Sequence, residues 1–166
     1  MDSNIDRPVL LDNTVLTNFA LAGKTDLVAR LWPKRACTTS PVLDEYAVGV
    51  TVGMLPADAW AGLPIVALTA GERAFANELS TRLGAGERAC LAVAVHRQGL
   101  LVSDDLDARR AARRYDVPAT GTVGILIRCV QRGCVAREQA NHLLAKMIAL
   151  GYRSPVANLN ALFDRQ

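Results

Sequence analysis

Two short apolar runs constrain this chain more than anything else in it: Val9-Leu10-Leu11, ending at Asp12, and Leu100-Leu101-Val102-Ser103, ending at Asp104-Asp105. Neither alternates apolar with polar residues, so neither suits a strand with one face in water. A solid aliphatic run of this length, bounded by polar residues, reads as a strand buried on both faces, the kind found where helices cover both sides of a parallel sheet. Residues 35–38, 64–68 and 117–120 read as further short strands, and Pro64 predicts a sheet edge because proline cannot donate to a ladder. Helix-length stretches separate them: 13–22, capped by Asp12 or Asn13 and closed by Gly23; 25–32, ended by Pro33; 42–52, after a Ser40-Pro41 start; then 70–83, 87–98, 106–115, 122–131, about 136–149 and 155–165. The expected fold is α/β: a single three-layer α/β/α domain over residues 1–166, with a central, mostly parallel sheet of four or five strands and additional helices from about residue 136.

A chain of 166 residues that is 51% apolar can bury a core without disulfide or metal staples, which excludes disorder. No window of about 18 residues is free of charged or polar breaks, so no membrane partner is expected. The opening stretch places Asp2 and Asp6 before any apolar run, unlike a signal peptide. Cys37, Cys90, Cys129 and Cys134 form no Cys-x-x-Cys pair, and His96 and His142 lie far apart, so a zinc site is not expected. The cysteines read as small buried apolar residues in a reducing cytoplasm. A net charge of +3 permits contact with nucleic acid without requiring it. Sixteen of the nineteen bases are Arg, whose planar fork suits phosphate or carboxylate, though a GC-rich genome gives the same bias.

In an open α/β sheet, ligands bind beyond the carboxyl ends of the strands. Here that rule selects acids. Asp12 ends the first strand, and Asp104 with Asp105 ends the strand at 100–103. Glu45 sits about one turn into the helix after the second strand, and Glu87 opens the helix that feeds strand 100–103. Each has a bland reading by itself: a helix cap for Asp12, a helix-dipole acid for Glu87, a solvated residue for Glu45, and turn or cap residues for Asp104 and Asp105. Together, four or five acids converge on one sheet edge with no lysine beside them. Crowded carboxylates repel unless a positive charge neutralises them. Mg²⁺ or Mn²⁺ does so through oxygen ligands and can promote hydrolysis of a phosphodiester. Other acid-bearing α/β designs fit worse, because no Asp-x-Asp follows the first strand and Gly84-Ala85-Gly86 lacks a later Gly-Lys-Ser/Thr.

These segments, taken in order, resemble a PIN domain. Val9-Leu10-Leu11-Asp12-Asn13-Thr14 is similar to its opening, Ser40-Pro41-Val42-Leu43-Asp44-Glu45 to its second acidic segment, Gly84-Ala85-Gly86-Glu87-Arg88-Ala89 to its Gly-Glu helix, and Leu101-Val102-Ser103-Asp104-Asp105 to its fourth. Val117-Pro118-Ala119-Thr120-Gly121-Thr122-Val123-Gly124 resembles the Pro-x-x-Gly-Thr-x-Gly stretch of a toxin-like, VapC-type branch, as does Gly151-Tyr152-Arg153-Ser154 further on. The resemblance implies a Mg²⁺- or Mn²⁺-dependent ribonuclease with an RNA substrate, an antitoxin partner and a homodimer. It implies that Asp12, Glu45, Glu87 and Asp104 are metal ligands or their close supports, with Thr14 and Ser103 as small polar residues behind them. Asn13-Thr14 departs from the commoner Thr-Ser pair, and the adjacency of Asp104 and Asp105 leaves open which is the fourth acid.

Arg109, Arg110, Arg113 and Arg114 follow on one helix at spacings of three and four. They are candidates to hold RNA phosphates, against the alternative of a solvated basic face. Two function classes remain: a metal-dependent endoribonuclease, or a PIN-fold RNA-binding or regulatory module without turnover.

Overall fold

The structure, a computed structural model, describes residues 5–164. Among these, five parallel strands, β1 (Val9–Leu11), β2 (Ala36–Thr39), β3 (Ile65–Val66), β4 (Leu100–Val102) and β5 (Ala119–Thr120), pair in the order β3-β2-β1-β4-β5. Leu10 lies between Cys37 of β2 and Leu101 of β4, and all three are fully buried. That is the two-sided burial the solid runs predict. β3, next to Pro64, is an edge strand as expected.

The helices are α1 (Asn13–Ala22), α2 (Asp26–Leu31), α3 (Ser40–Thr51), α4 (Ala70–Glu78), α5 (Ala85–His96), α6 (Leu106–Arg114), α7 (Thr122–Gln131), α8 (Arg137–Ala149) and α9 (Asn160–Phe163). Helix α5 packs on β1, β2 and β4, and α3, α4 and α6 pack around it. Its run Ala89-Cys90-Leu91-Ala92-Val93-Ala94 is buried throughout, the small side chains suiting a close approach of helix to sheet. A second group joins α1 to α8, α8 to α7 and α7 to α2, completing an α/β/α arrangement.

Three expectations change. The final helix, expected over 155–165, is only the four residues of α9. Side chains capture the preceding backbone: the Val156 N–H donates to Ser154 Oγ, and the Leu159 N–H donates to Asn141 Oδ1 at 2.7 Å. Such side-chain bonds offer the chain an alternative to the helix. Residue 165 lies outside the described residues. Helix α4 stops at Glu78 rather than 83, because Leu79 turns extended. Cys37, Cys90 and Cys129 are buried free thiols, but Cys134 is only half-buried. On α7 and α8 the apolar residues Ile125, Leu126 and Leu144 are fully buried in the core. No helix among the described residues is long and apolar enough to cross a membrane.

The strand order places the active edge. The chain steps outward from β1 to β2 and β3, and then begins again on the other side of β1 with β4 and β5. The carboxyl ends of β1 and β4 therefore flank the switch point where such sheets bind ligands.

Candidate active site

The turn after β1 and the turn after β4 meet at this point. Asp12 caps α1, with Oδ1 accepting from the Asn13 N–H at 2.8 Å, and is only 2% exposed. Its Oδ2 accepts from the Ser103 hydroxyl at 2.8 Å, and Ser103 Oγ in turn accepts from the Asp105 N–H at 3.2 Å. One serine thus ties the two strand ends together. Asp105 caps α6, accepting from the Ala108 N–H at 2.8 Å. Glu87, in the first turn of α5, accepts from the Gly84 N–H at 2.9 Å through Oε2. Glu45 reaches across from α3 and accepts from the Gly86 N–H at 2.9 Å through Oε1. Gly86 is needed there, since a Cβ would stand 2.9 Å from both Glu45 Oε2 and Val42 Cγ2.

Asp12, Glu45, Glu87 and Asp105 therefore each fix one oxygen on a backbone amide. Among the described residues, no donor reaches the second oxygen of Glu45, Glu87 or Asp105, and no Lys or Arg forms an ion pair with any of the four. Burial pushes the Asp12 carboxyl up to about 6 from 3.8, against the pull of Ser103 and Asn13, and the charges of Glu45 and Asp105 push the same way. Burial likewise raises Glu87 to about 7 from 4.5, with Asp12, Asp105 and Glu45 adding repulsion. The four acids share one field. They are not drawn into a tight cage: among the described residues, no three His, Cys, Asp or Glu side chains form a group that can hold a metal as they stand.

Asp104 stands apart from this set. Its Oδ1 accepts from the Thr122 N–H at 2.8 Å and from the Tyr152 hydroxyl at 3.1 Å. Its Oδ2 accepts from the Thr122 hydroxyl at 2.6 Å and from Asn18 Nδ2 at 3.2 Å. Four donors occupy its two oxygens. Burial and the Asp104 charge raise the Tyr152 phenol, which keeps it a donor. The two glycines of the 117–124 stretch are explained here. A Cβ on Gly121 would stand 2.5 Å from Asp104 Oδ1, and one on Gly124 would overlap Thr120 Oγ1.

Thr14 is exposed and lines a cleft of about 490 Å³ beside Glu87 and Asp105 without touching an acid through a hydrogen bond. The arginines of α6 divide by face. Arg110 and Arg114 join Arg82 in a groove of about 260 Å³ between α6 and the loop before α5, where Arg110 also pairs with Asp107 at 3.2 Å. Arg109 lies by Gly121 and Tyr152, and Arg113 is exposed. Asn18, Thr122 and Tyr152 were not singled out as site residues from the sequence. Asn18 carried a usable signal: an amide on the buried face of α1, between Val15 and Ala22, needs partners.

A family model described as a PIN domain matches residues 8–165. The chain belongs to the PIN-domain family. PIN domains are generally nucleases that use divalent metals and bind RNA, and the parallel sheet flanked by helices is the corresponding fold. Searches of curated proteins and of solved structures returned no match.

Proposed function

We propose that this PIN domain is a metal-dependent endoribonuclease, that its centre is the acid set Asp12, Glu45, Glu87 and Asp105, and that the whole chain acts as one catalytic domain. One observation supports this above all: four carboxylates from four elements, each anchored by a backbone amide, with no Lys or Arg ion-paired to any of them among the described residues. Anchoring fixes where the negative charge sits, and burial makes that charge costly until a counter-charge arrives. The donor set fits Mg²⁺ or Mn²⁺, since it offers carboxylate oxygens and no thiolate or imidazole. Asn13 Oδ1, beside Asp12, is a further buried oxygen with no donor among the described residues.

A bound divalent ion would polarise the phosphodiester and lower the pKa of water. The chain supplies the rest. Asp12 and Asp105 hold the ion from the strand ends, and Ser103 keeps them in mutual register. Glu45 and Glu87 close the set from α3 and α5. Asp104 supports the wall of the site through Thr122, Asn18 and Tyr152 rather than binding the ion. Arg82, Arg110 and Arg114 hold backbone phosphates on the α6 side.

The test is cleavage of RNA with Mg²⁺ or Mn²⁺, abolished by a chelator and by Asp12→Asn and Asp105→Asn separately. Cleavage that survives the chelator, or both substitutions, refutes the assignment. A second reading, an RNA-binding module without turnover, draws on the absence of a closed three-acid group among the described residues. It predicts RNA binding with no metal-dependent product. The role of toxin in a toxin–antitoxin pair, acting in the cytoplasm, rests on the resemblance at residues 117–124. Expression that arrests growth, relieved by the product of a neighbouring small reading frame, is its test.

A further inference from the structure

The far end of α7 carries a pair of thiols that the acid site leaves unused. The helix ends at its cap, Arg132, and Gly133 turns left-handed at φ +70°. The Gly133 N–H donates to the Val130 carbonyl at 3.0 Å, and the Cys134 N–H donates to the Cys129 carbonyl at 2.8 Å. These two bonds make a Schellman ending, which packs the residue after the glycine against the third residue from the helix end. Apolar side chains commonly fill those two positions; here both are cysteines.

With standard bond lengths on either side of it, the 2.8 Å bond cannot leave the Cα atoms of Cys129 and Cys134 more than about 6.7 Å apart. A disulfide spans roughly 4.4–6.8 Å between Cα atoms. The Cys134 thiol also reaches Cys129 directly, as a hydrogen-bonding and charge neighbour. The two thiols differ in access. Cys129 is fully buried, and burial pushes its thiol up to about 12, so it stays protonated in the resting protein. Cys134 is half-buried and opens on a groove of about 530 Å³ between α2 and α8, walled by Leu27, Arg30, Glu138 and His142. That volume admits a small molecule. Cys37 and Cys90 lack such access: both are fully buried, with their thiols turned onto the Val9 and Leu11 carbonyls.

We propose that Cys134 and Cys129 form a thiol–disulfide exchange site whose substrate is a low-molecular-weight disulfide entering by this groove. Cys134 gives up its proton and its sulfur attacks one sulfur of the incoming disulfide; the S–S bond breaks and the released thiolate takes up the proton. Cys129 then gives its proton to the second leaving sulfur as its own sulfur attacks Cys134 Sγ. Two protein thiols are oxidised to one disulfide, and one small disulfide is reduced to two thiols. A buried thiol attacks slowly, but contact with its target offsets that. The bridge forms at the end of α7 opposite Thr122 and Asp104, so the proposal stands whether or not the acids cleave RNA.

The reduced full chain, incubated with oxidised glutathione, quenched in acid and mapped by mass spectrometry, provides the test. Wild type should lose about 2 Da, with Cys129 and Cys134 joined, Cys37 and Cys90 still free, and dithiothreitol restoring the starting mass. Cys129→Ala should stop at a glutathione adduct of about 305 Da on Cys134. Cys134→Ser, altered at a half-buried position, should keep its remaining thiols, and it carries the test where Cys129→Ala fails to fold. Wild type that stays reduced, wild type that stops at the adduct with Cys129 free, or a bridge to Cys37, to Cys90 or between two molecules would each overturn the exchange site. So would oxidation of Cys134→Ser at the wild-type rate.

Discussion

Replacing Asp12 by Asn should make the metal-free protein more stable, although it removes the central acid of the site. Burial lifts the Asp12 carboxyl from 3.8 to about 6. A displacement of that size corresponds to about 3 kcal/mol between the protonated and charged forms. Below the unfolded value the group is neutral in both states and stability is intact. Between 3.8 and about 6 the native state keeps a proton that the unfolded chain has released, so stability falls as pH rises. Asn has the same shape, can accept from the Asn13 N–H, and can donate to Ser103 Oγ. It carries no charge to desolvate. At about pH 8 in chelator, the variant should gain up to about 3 kcal/mol, or about 6–12 °C in Tm for a chain of this size. At about pH 4 the gain should nearly vanish. Because neighbouring carboxylates share the repulsion, the figure is a ceiling. Thermal melts at the two pH values, with and without Mn²⁺, provide the assay. Mn²⁺ should stabilise wild type and leave the variant unmoved. A variant less stable than wild type at pH 8, or a difference independent of pH, would refute the account of a charge held without a partner.

The neighbouring aspartates should separate cleanly. Asp105→Asn should abolish calorimetric Mn²⁺ binding, while Asp104→Asn should keep it and lose about 1–3 kcal/mol of stability, since an amide nitrogen must face donors already in place. Away from the site, Glu72 is 2% exposed and pairs with Arg97 at 2.7 Å; Glu72→Ala takes the carboxylate from Arg97, which keeps its bond to the Ala67 carbonyl, and should cost about 3–5 kcal/mol in urea unfolding, whereas a loss below about 1 kcal/mol would mean solvent screens the pair. Gly124→Ala drives a Cβ into Thr120 and should cost about 1–3 kcal/mol, partly restored by adding Thr120→Ala.

Much of the fold was legible because its signals are local. Solid apolar runs mark doubly buried strands whatever surrounds them, and Ser40-Pro41 or Gly23 marks a helix end by its own backbone preference. The segment before α9 misled for the opposite reason: its backbone bonds are taken by Ser154 and by Asn141, the latter from another helix. At the site, the acids and their elements could be named from order and spacing. Which of them face one another could not.

Gly71-Glu72-Arg73-Ala74 and Gly86-Glu87-Arg88-Ala89 show where that boundary falls. The four letters are the same, and both glutamates do the same local work, accepting the N–H of the residue three positions before them. Sequence alone determines that much, because a helix start needs an acceptor for its free amides. Packing decides the rest. Glu72 is carried against Arg97, whose hydrogen bonds and charge overcome the upward push of burial and hold its carboxyl below the usual range. Glu87 meets no such cation: burial raises its carboxyl, and the charges of Asp12, Asp105 and Glu45 push the same way. Charge interactions depend on distance through space, and only the folded sheet, by bringing β1 beside β4, sets those distances.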